Sequence, residues 1–169
     1  MTNDELRLVP VDSRTWRAAY ALRPHPEQER FVAPNAYSLL EAVYADSAVG
    51  YAPYLAYAGP QPVGFTMHAG SGSDGHPWIL RFMVGAEHQG RGYGARMLRA
   101  HLALLDATFP GRSVRLSVVP GNDVAARLYR RFGFVDTGQV DAGELVFERP
   151  AGPELGRAPC REREFRAVE

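Results

Sequence analysis

The stretch QGRGYG, Gln89–Gly94, sets three glycines at alternate positions between a β-forming run and a long amphipathic segment. The run before it, WILRFMV (Trp78–Val84), is short and nearly continuous in apolar side chains, the pattern of a central strand covered on both faces. The segment after it carries Leu98, Leu102, Leu105 and Phe109 at helical steps, leaves Arg96, Arg99 and Asp106 mostly outward, and ends at Pro110-Gly111. A buried strand feeding a helix through a tight turn is the unit of an α/β fold. Glycine in a helical turn costs roughly 1 kcal/mol against alanine, so three of them at the start of a helix need a reason. One reason is a tight strand-to-helix turn with no ligand. Another is a diphosphate: helix N-terminal amides carry partial positive charge, and residues without Cβ let a bulky anion approach them.

The rest of the chain reads as further strands and helices. ELRLVPV (Glu5–Val11) alternates like a strand, and Asp12 or Ser13 is a candidate cap for a short helix through about Leu22. RPHPEQERFVAP interrupts the pattern with three prolines; Asn35 then caps a helix in which Leu39, Leu40, Val43 and Tyr44 recur at helical spacing. PYLAYA and QPVGFTMHA form a hairpin about Gly59-Pro60. VRLSVV is another buried strand, and Asn122 caps a helix that stops at Gly133. Strands near 134–138 and 144–149 close the domain, which spans residues 1–149; residues 150–169 read as a C-terminal tail or docking arm.

With 169 residues, 46% of them hydrophobic, the chain has enough material for one core but not comfortably for two. Nineteen basic residues balance nineteen acidic ones, so nothing in the net charge points to nucleic acid or an anionic membrane, and a small ligand is the default partner. Every basic residue is Arg, which removes the phosphate-loop lysine and Schiff-base chemistry. The single Cys160 has no internal disulfide partner, no apolar run approaches a membrane span, and the N-terminus lacks a secretory pattern; a soluble cytoplasmic protein is expected. His25, His68, His76, His88 and His101 show no metal-binding spacing, so no metal is assigned, and His68 is a packed or exposed side chain or a proton relay.

Two cofactor families use a glycine turn of this kind. A dinucleotide fold wants G-x-G-x-x-G near its first strand and an acidic residue ending the next one; here the glycines lie in mid-chain and the next strand ends SVVPGN. Gln89-Gly90-Arg91-Gly92-Tyr93-Gly94 instead matches Q/R-x-x-G-x-G/A, the signature of the GCN5-related N-acetyltransferases (GNAT). Asn122 to Phe134 resembles that family's second signature, N-x-x-A-x-x-L-Y-x-x-x-G-F. More narrowly, QERFVAPNAYSLLEA, VGFTMHA, WILRFMV and QGRGYG are similar to the bacterial diamine and polyamine N-acetyltransferases over about Arg23 to Arg149, with Arg91 where that subgroup often has Lys.

The resemblance implies a GNAT fold: a mixed, mostly antiparallel sheet, flanked by helices and splayed after the central strand, with acetyl-CoA as cosubstrate in the gap. Phe82, Met83 and Val84 would then meet the pantetheine arm, Gln89, Gly90, Arg91, Gly92, Tyr93, Gly94 and Ala95 would cradle the pyrophosphate, and Asn122 would add a contact. Arg91 and Arg96 would pair with phosphate or remain solvated charges. Tyr129, by itself a core aromatic, becomes within the motif the residue that hydrogen-bonds to or protonates the leaving thiolate. An alkylamine is only about one part in 2,500 neutral at pH 7, so a proton acceptor is needed. Many family members place a Glu on the central strand, whereas WILRFMV has Arg81 and leaves the base unassigned. Glu29 and Glu41 line the amine pocket or are solvated or salt-bridged. The expected reaction is acetyl transfer from acetyl-CoA to a primary amine, a diamine or polyamine, by direct attack in a ternary complex. An aminoglycoside, amino acid or protein N-terminus as acceptor, or a CoA-binding sensor without turnover, are the alternatives. Family members often pair, so a homodimer joins the expected partners.

Overall fold

Alternating side chains and one tight turn build the first half of the sheet. In the computed structural model, which describes residues 6–70 and 74–152, β1 (Leu6–Pro10), β2 (Tyr51–Ala58), β3 (Gln61–Ala69) and β4 (Trp78–Val84) pair antiparallel in sequence order. Gly59, at φ 57, makes the left-handed bend that the hairpin needs. The chain then crosses through α3 (Tyr93–Thr108) to β5 (Val114–Val118), parallel to β4, and through α4 (Asp123–Arg131) to the hairpin β6 (Val135–Asp141) and β7 (Glu144–Arg149). The strand order is β1-β2-β3-β4-β5-β7-β6, with β4 in the middle. Helices α1 (Trp16–Ala21) and α2 (Asn35–Tyr44) lie between β1 and β2 in the chain.

Each face of the sheet carries its own core. Leu98, Leu102 and Leu105 of α3 join Ala126 and Tyr129 of α4 on one face, over Ile79, Val114, Leu116, Val118 and Phe147. On the other face Ala19 of α1 meets Leu55, Phe65, Met67 and Met83, with Leu39 and Ala42 of α2 against them. A fully buried leucine such as Leu105 contributes about 2 kcal/mol by area alone. The sheet holds its shape because both faces are covered.

A one-residue irregularity in β4 opens the site. Met67 of β3 pairs with Arg81 but His68 pairs with Ile79, so Leu80 is an extra residue. Such a bulge breaks the alternation and bends the strand. Leu80 packs into the core beneath α1 and α2, and Arg81 reaches Ser38 and Glu41 of α2, so both side chains take the same face. Beyond the bulge β4 leaves β5: the two pair only at Trp78↔Arg115 and Ile79↔Leu116. The sheet is therefore mixed and parts after its central strand.

Several local expectations change. Helix α2 is capped by Pro34, not Asn35; the Asn35 side chain is buried and donates instead to the carbonyls of Ala19 (2.9 Å) and Leu22 (3.3 Å) at the end of α1. Its inward stripe is Asn35, Ser38, Leu39 and Ala42, which leaves Leu40, Val43 and Tyr44 exposed. The proline-interrupted segment holds a 3-10 helix, Pro26–Phe31, with Pro26 at its first position, where the missing N–H costs nothing. Met97 and His101 join the buried side of α3. Strand β6 runs on to Asp141 across a register shift at Gly138, whose φ is 74. Cys160 and the tail from residue 153 lie outside the described residues.

Candidate active site

The gap between β4 and β5 passes through the sheet. A cavity of about 360 Å³ fills it, walled on the α4 side by Phe82, Asn122, Ala125 and Tyr129. On the α2 side its wall is Arg81, Ser117, Glu144 and the segment 29–34. The edge of β4 from Leu80 to Val84 that faces β5 has no strand partner.

At the far end of β4 the chain makes the glycine turn. Gly90 and Gly92 sit at φ 74 and 76, the left-handed region that a side chain penalises, and a Cβ at either would point into open space. Gly94 has no such φ, and a Cβ there would make ordinary contacts with Leu128 at 3.6 Å and Val84 at 3.8 Å. Gly92 is the N-cap of α3, so no side chain caps that helix, and its first main-chain bond runs from Arg96 N–H to the Gly92 carbonyl at 3.3 Å. The amides of Tyr93, Gly94 and Ala95 thus have no intrahelical acceptor. Donors without partners, open space and the positive end of a 16-residue helix fit a diphosphate.

The neighbouring side chains have mixed duties. Gln89 does not reach into that space: its Nε2 donates to the Val84 carbonyl (3.0 Å) and to Gln28 Oε1 (2.7 Å), and its Oε1 accepts from Gln28 Nε2 (3.0 Å). This reciprocal amide pair ties the 3-10 helix to the end of β4. Arg91 is exposed, whereas the Arg96 guanidinium lies 5.3 Å from the centroid of the half-buried Tyr93 ring. Met83 is buried in the α1–α2 core.

Asn122 and Tyr129 come to the gap on one short helix. Asn122 Oδ1 accepts from Ala125 N–H at 3.3 Å, capping α4 as its sequence implies. Seven residues on, two turns along the same face, Tyr129 stands with its ring edge-on to Phe82 (6.0 Å) and Phe134 (5.9 Å). Its hydroxyl makes no hydrogen bond to another described residue, and no buried polar atom of the described residues lacks a partner, so the hydroxyl opens to the cavity. Burial pushes its pKa far above the ordinary 10.

Across the gap the carboxylates divide. Glu41 is committed to Arg81, Oε2 to Nη2 at 3.0 Å, with Arg81 Nε donating to Ser38 at 3.1 Å; Glu41 is absent from the cavity wall. Glu29 is exposed at the rim. Glu144, which sequence reasoning did not single out, lines the cavity with its Oε2 accepting from Ser117 Oγ at 2.5 Å. The available signal was alternation alone: Val114, Leu116 and Val118 face the α3–α4 core, so Ser117 must face the other way.

His68 and His101 form a buried pair away from the gap, Nδ1 to Nε2 at 3.0 Å, and His101 Nδ1 lies 2.8 Å from Thr66 Oγ1. His68 is therefore packed. Among the described residues no group of three or more His, Cys, Asp or Glu could hold a metal ion, and no helix is long and apolar enough to cross a membrane.

Known proteins share both the pattern and the shape. The family model for the acetyltransferase (GNAT) family matches residues 7–134. The spermine/spermidine N(1)-acetyltransferase of Bacillus subtilis is 34% identical over 103 residues, covering 57% of this chain and 68% of that one. Among solved structures, spermidine N-acetyltransferase from Vibrio cholerae with CoA and spermine superposes with a TM-score of 0.62 at 17% identity, covering 86% of this chain and 94% of that one. Aminoglycoside acetyltransferase AAC(6')-Ib with coenzyme A and kanamycin gives 0.68 at 20% identity, over 85% and 92%. At those identities the two structures establish the fold, and the family rests on the sequence: this chain belongs to the GNAT family of acetyltransferases, which draw their acetyl group from acetyl-CoA.

Proposed function

We propose that this chain acetylates a diamine or polyamine by direct attack of the amine on acetyl-CoA, with both substrates held in the gap together. The cavity that joins the two faces of the sheet carries the reading, because it lets each substrate enter from its own side. Bound acetyl-CoA supplies an activated acyl carbon and a sulfur leaving group. The amides that follow Gly90 and Gly92 hold the diphosphate, with Arg91 and Arg96 as the nearby cations, while the main-chain groups of Phe82 and the Val84 N–H face the unpaired edge of β4 and meet the pantetheine arm; those of Met83 point to Phe65 on β3 and stay out of its reach. The Val84 carbonyl is already engaged by Gln89, so that glutamine supports the turn from behind. Asn122 fixes the start of α4 and with it the place of Tyr129.

Tyr129 donates a hydrogen bond to the departing sulfur. Full proton transfer from an ordinary phenol (pKa about 10) to a thiolate (about 8.5) is uphill by roughly 2 kcal/mol, and the raised pKa of Tyr129 makes it harder still. The only cysteine is Cys160, in the tail, so no thiol on the strands and helices around the gap could carry the acetyl group.

The polyamine preference rests on the Bacillus relative and on the amine side of the cavity, where Glu29 and Glu144 meet a cation and Arg81 is neutralised by Glu41. A cytoplasmic location is proposed from the lone cysteine, which fits a reducing compartment. The test is thiol release at saturating acetyl-CoA with spermine, spermidine, putrescine and kanamycin. A polyamine should give the highest kcat/KM; kanamycin turnover with all three polyamines inert overturns the choice of substrate.

A further inference from the structure

We infer that Glu144 is the carboxylate that receives the substrate's ammonium and accepts its proton, with Ser117 as its positioning residue. The inference rests on the amine-acetylation reading and supplies the proton acceptor that β4 lacks. On β4 the only charged side chain on the cavity wall is Arg81, a cation whose Nε, Nη1 and Nη2 already donate to Ser38, the Leu80 carbonyl and Glu41. Of the carboxylates near the amine side, Glu41 is held by that arginine and Glu29 is an exposed side chain on a short 3-10 helix. Glu144 differs from both: it is half-buried, lies on the cavity wall, and is fixed by a 2.5 Å hydrogen bond.

Strand register explains how it gets there. Ser117 pairs with Val146 across β5 and β7, and Leu116 and Val118 are turned into the α3–α4 core. Ser117 and Glu144 therefore share the opposite face, diagonal neighbours within reach of each other. Ser117 donates to Oε2, and Oε1 has no hydrogen bond to another described residue. Arg81 on β4, Glu29 and Arg30 on the 29–34 segment and Tyr129 on α4 share the cavity, and Asp141 stands opposite Glu144 in the β6–β7 hairpin. Tyr129 and Glu144 thus flank the gap from opposite faces of the sheet, one on the sulfur side and one on the amine side.

The proton balance closes. An alkylammonium gives one proton to Glu144, and its freed lone pair forms the N–C bond as the C–S bond breaks and sulfur leaves with the bonding electrons. Nitrogen then loses its second proton. One of the two protons ends on the thiol and the other in solvent, so an ammonium and a thioester yield an amide, a thiol and one proton.

Three variants test this: Glu144→Gln, which keeps an oxygen for the Ser117 hydroxyl, Glu144→Asp and Ser117→Ala. Each is assayed with spermidine and with kanamycin from pH 7 to 10, and titrated with CoA by calorimetry. Glu144→Gln should lower kcat/KM by about 10²-fold at pH 7. That deficit should shrink severalfold or more by pH 10, where roughly a quarter of an ordinary alkylamine is already neutral. Glu144→Asp should recover part of the loss, Ser117→Ala should cost less than Glu144→Gln, and CoA affinity should not move in any of them. Wild-type kcat/KM in Glu144→Gln, or a deficit equal at pH 7 and pH 10, overturns the assignment. If kanamycin alone is turned over, the polyamine reading fails, and Glu144 is judged on kanamycin by the same two criteria.

Discussion

Acidification should destabilise this protein through two histidines, because burial holds both rings neutral and the hydrogen bonds of His101 occupy both of its nitrogens. Thr66 Oγ1 donates to the Arg81 carbonyl at 2.8 Å, so it must accept from His101 Nδ1–H, also at 2.8 Å. His101 Nε2 is then an acceptor and takes the Nδ1–H of His68 at 3.0 Å. Both rings are neutral, His101 fully buried and His68 nearly so. Burial lowers His68 from 6.5 to about 4; burial, then the neighbouring His68, lowers His101 to about 3. A histidine held neutral in the folded state stabilises fully above its unfolded pKa and loses that contribution as pH falls from 6.5 toward its folded value. Between pH 7.5 and pH 5 each unfolded ring gains the equivalent of about 2 kcal/mol, or about 4 kcal/mol for the pair. Asp12 and Asp74, both lowered from 3.8, lose their contributions only at lower pH, so this window belongs to the imidazoles. Guanidinium unfolding at pH 7.5, 6.5 and 5.0 should show that loss, with the imidazole NMR signals of both rings still neutral in the folded protein at pH 5. Either ring titrating near 6.5 in the folded state, or an unchanged unfolding free energy at pH 5, refutes the reasoning.

Tyr129→Phe should lower kcat by about 10²-fold and leave acetyl-CoA affinity within about twofold, read by steady-state kinetics and calorimetry. Gly92→Ala disfavours φ 76, so the free turn should relax and regain about 1–2 kcal/mol of backbone strain on binding, weakening CoA affinity by about 5- to 30-fold, whereas Gly94→Ala, which meets only ordinary contacts, should bind normally. Glu41→Gln leaves the Arg81 guanidinium partly buried without its ion pair and should cost about 1–2 kcal/mol, a fall in Tm of about 3–6 °C in a thermal melt.

Much of this architecture is written in local patterns. The run Trp78–Val84, the glycines after it and the leucine spacing of α3 fix a strand, a turn and a helix from neighbours alone. Gly59 in the hairpin and Asn122 at the start of α4 are likewise local chemistry. What pattern cannot supply is pairing across the sheet. The extra residue Leu80 exists only in the register between β3 and β4, and it alone puts Arg81 on the α2 face beside Glu41. Ser117 and Glu144 are 27 positions apart and His68 and His101 are 33 apart; no period in the chain relates them. Asn35 shows a local rule overridden, since its cap-forming side chain instead satisfies carbonyls at the end of α1.

The central claim is that main-chain amides beyond Gly90 and Gly92 grip the diphosphate of coenzyme A. A crystal structure of the CoA complex measures it directly. Diphosphate oxygens should lie about 2.7–3.2 Å from amide nitrogens of the turn and the first residues of α3, with the pantetheine running along β4 toward Tyr129. Diphosphate bound elsewhere, with those amides facing only solvent, contradicts it.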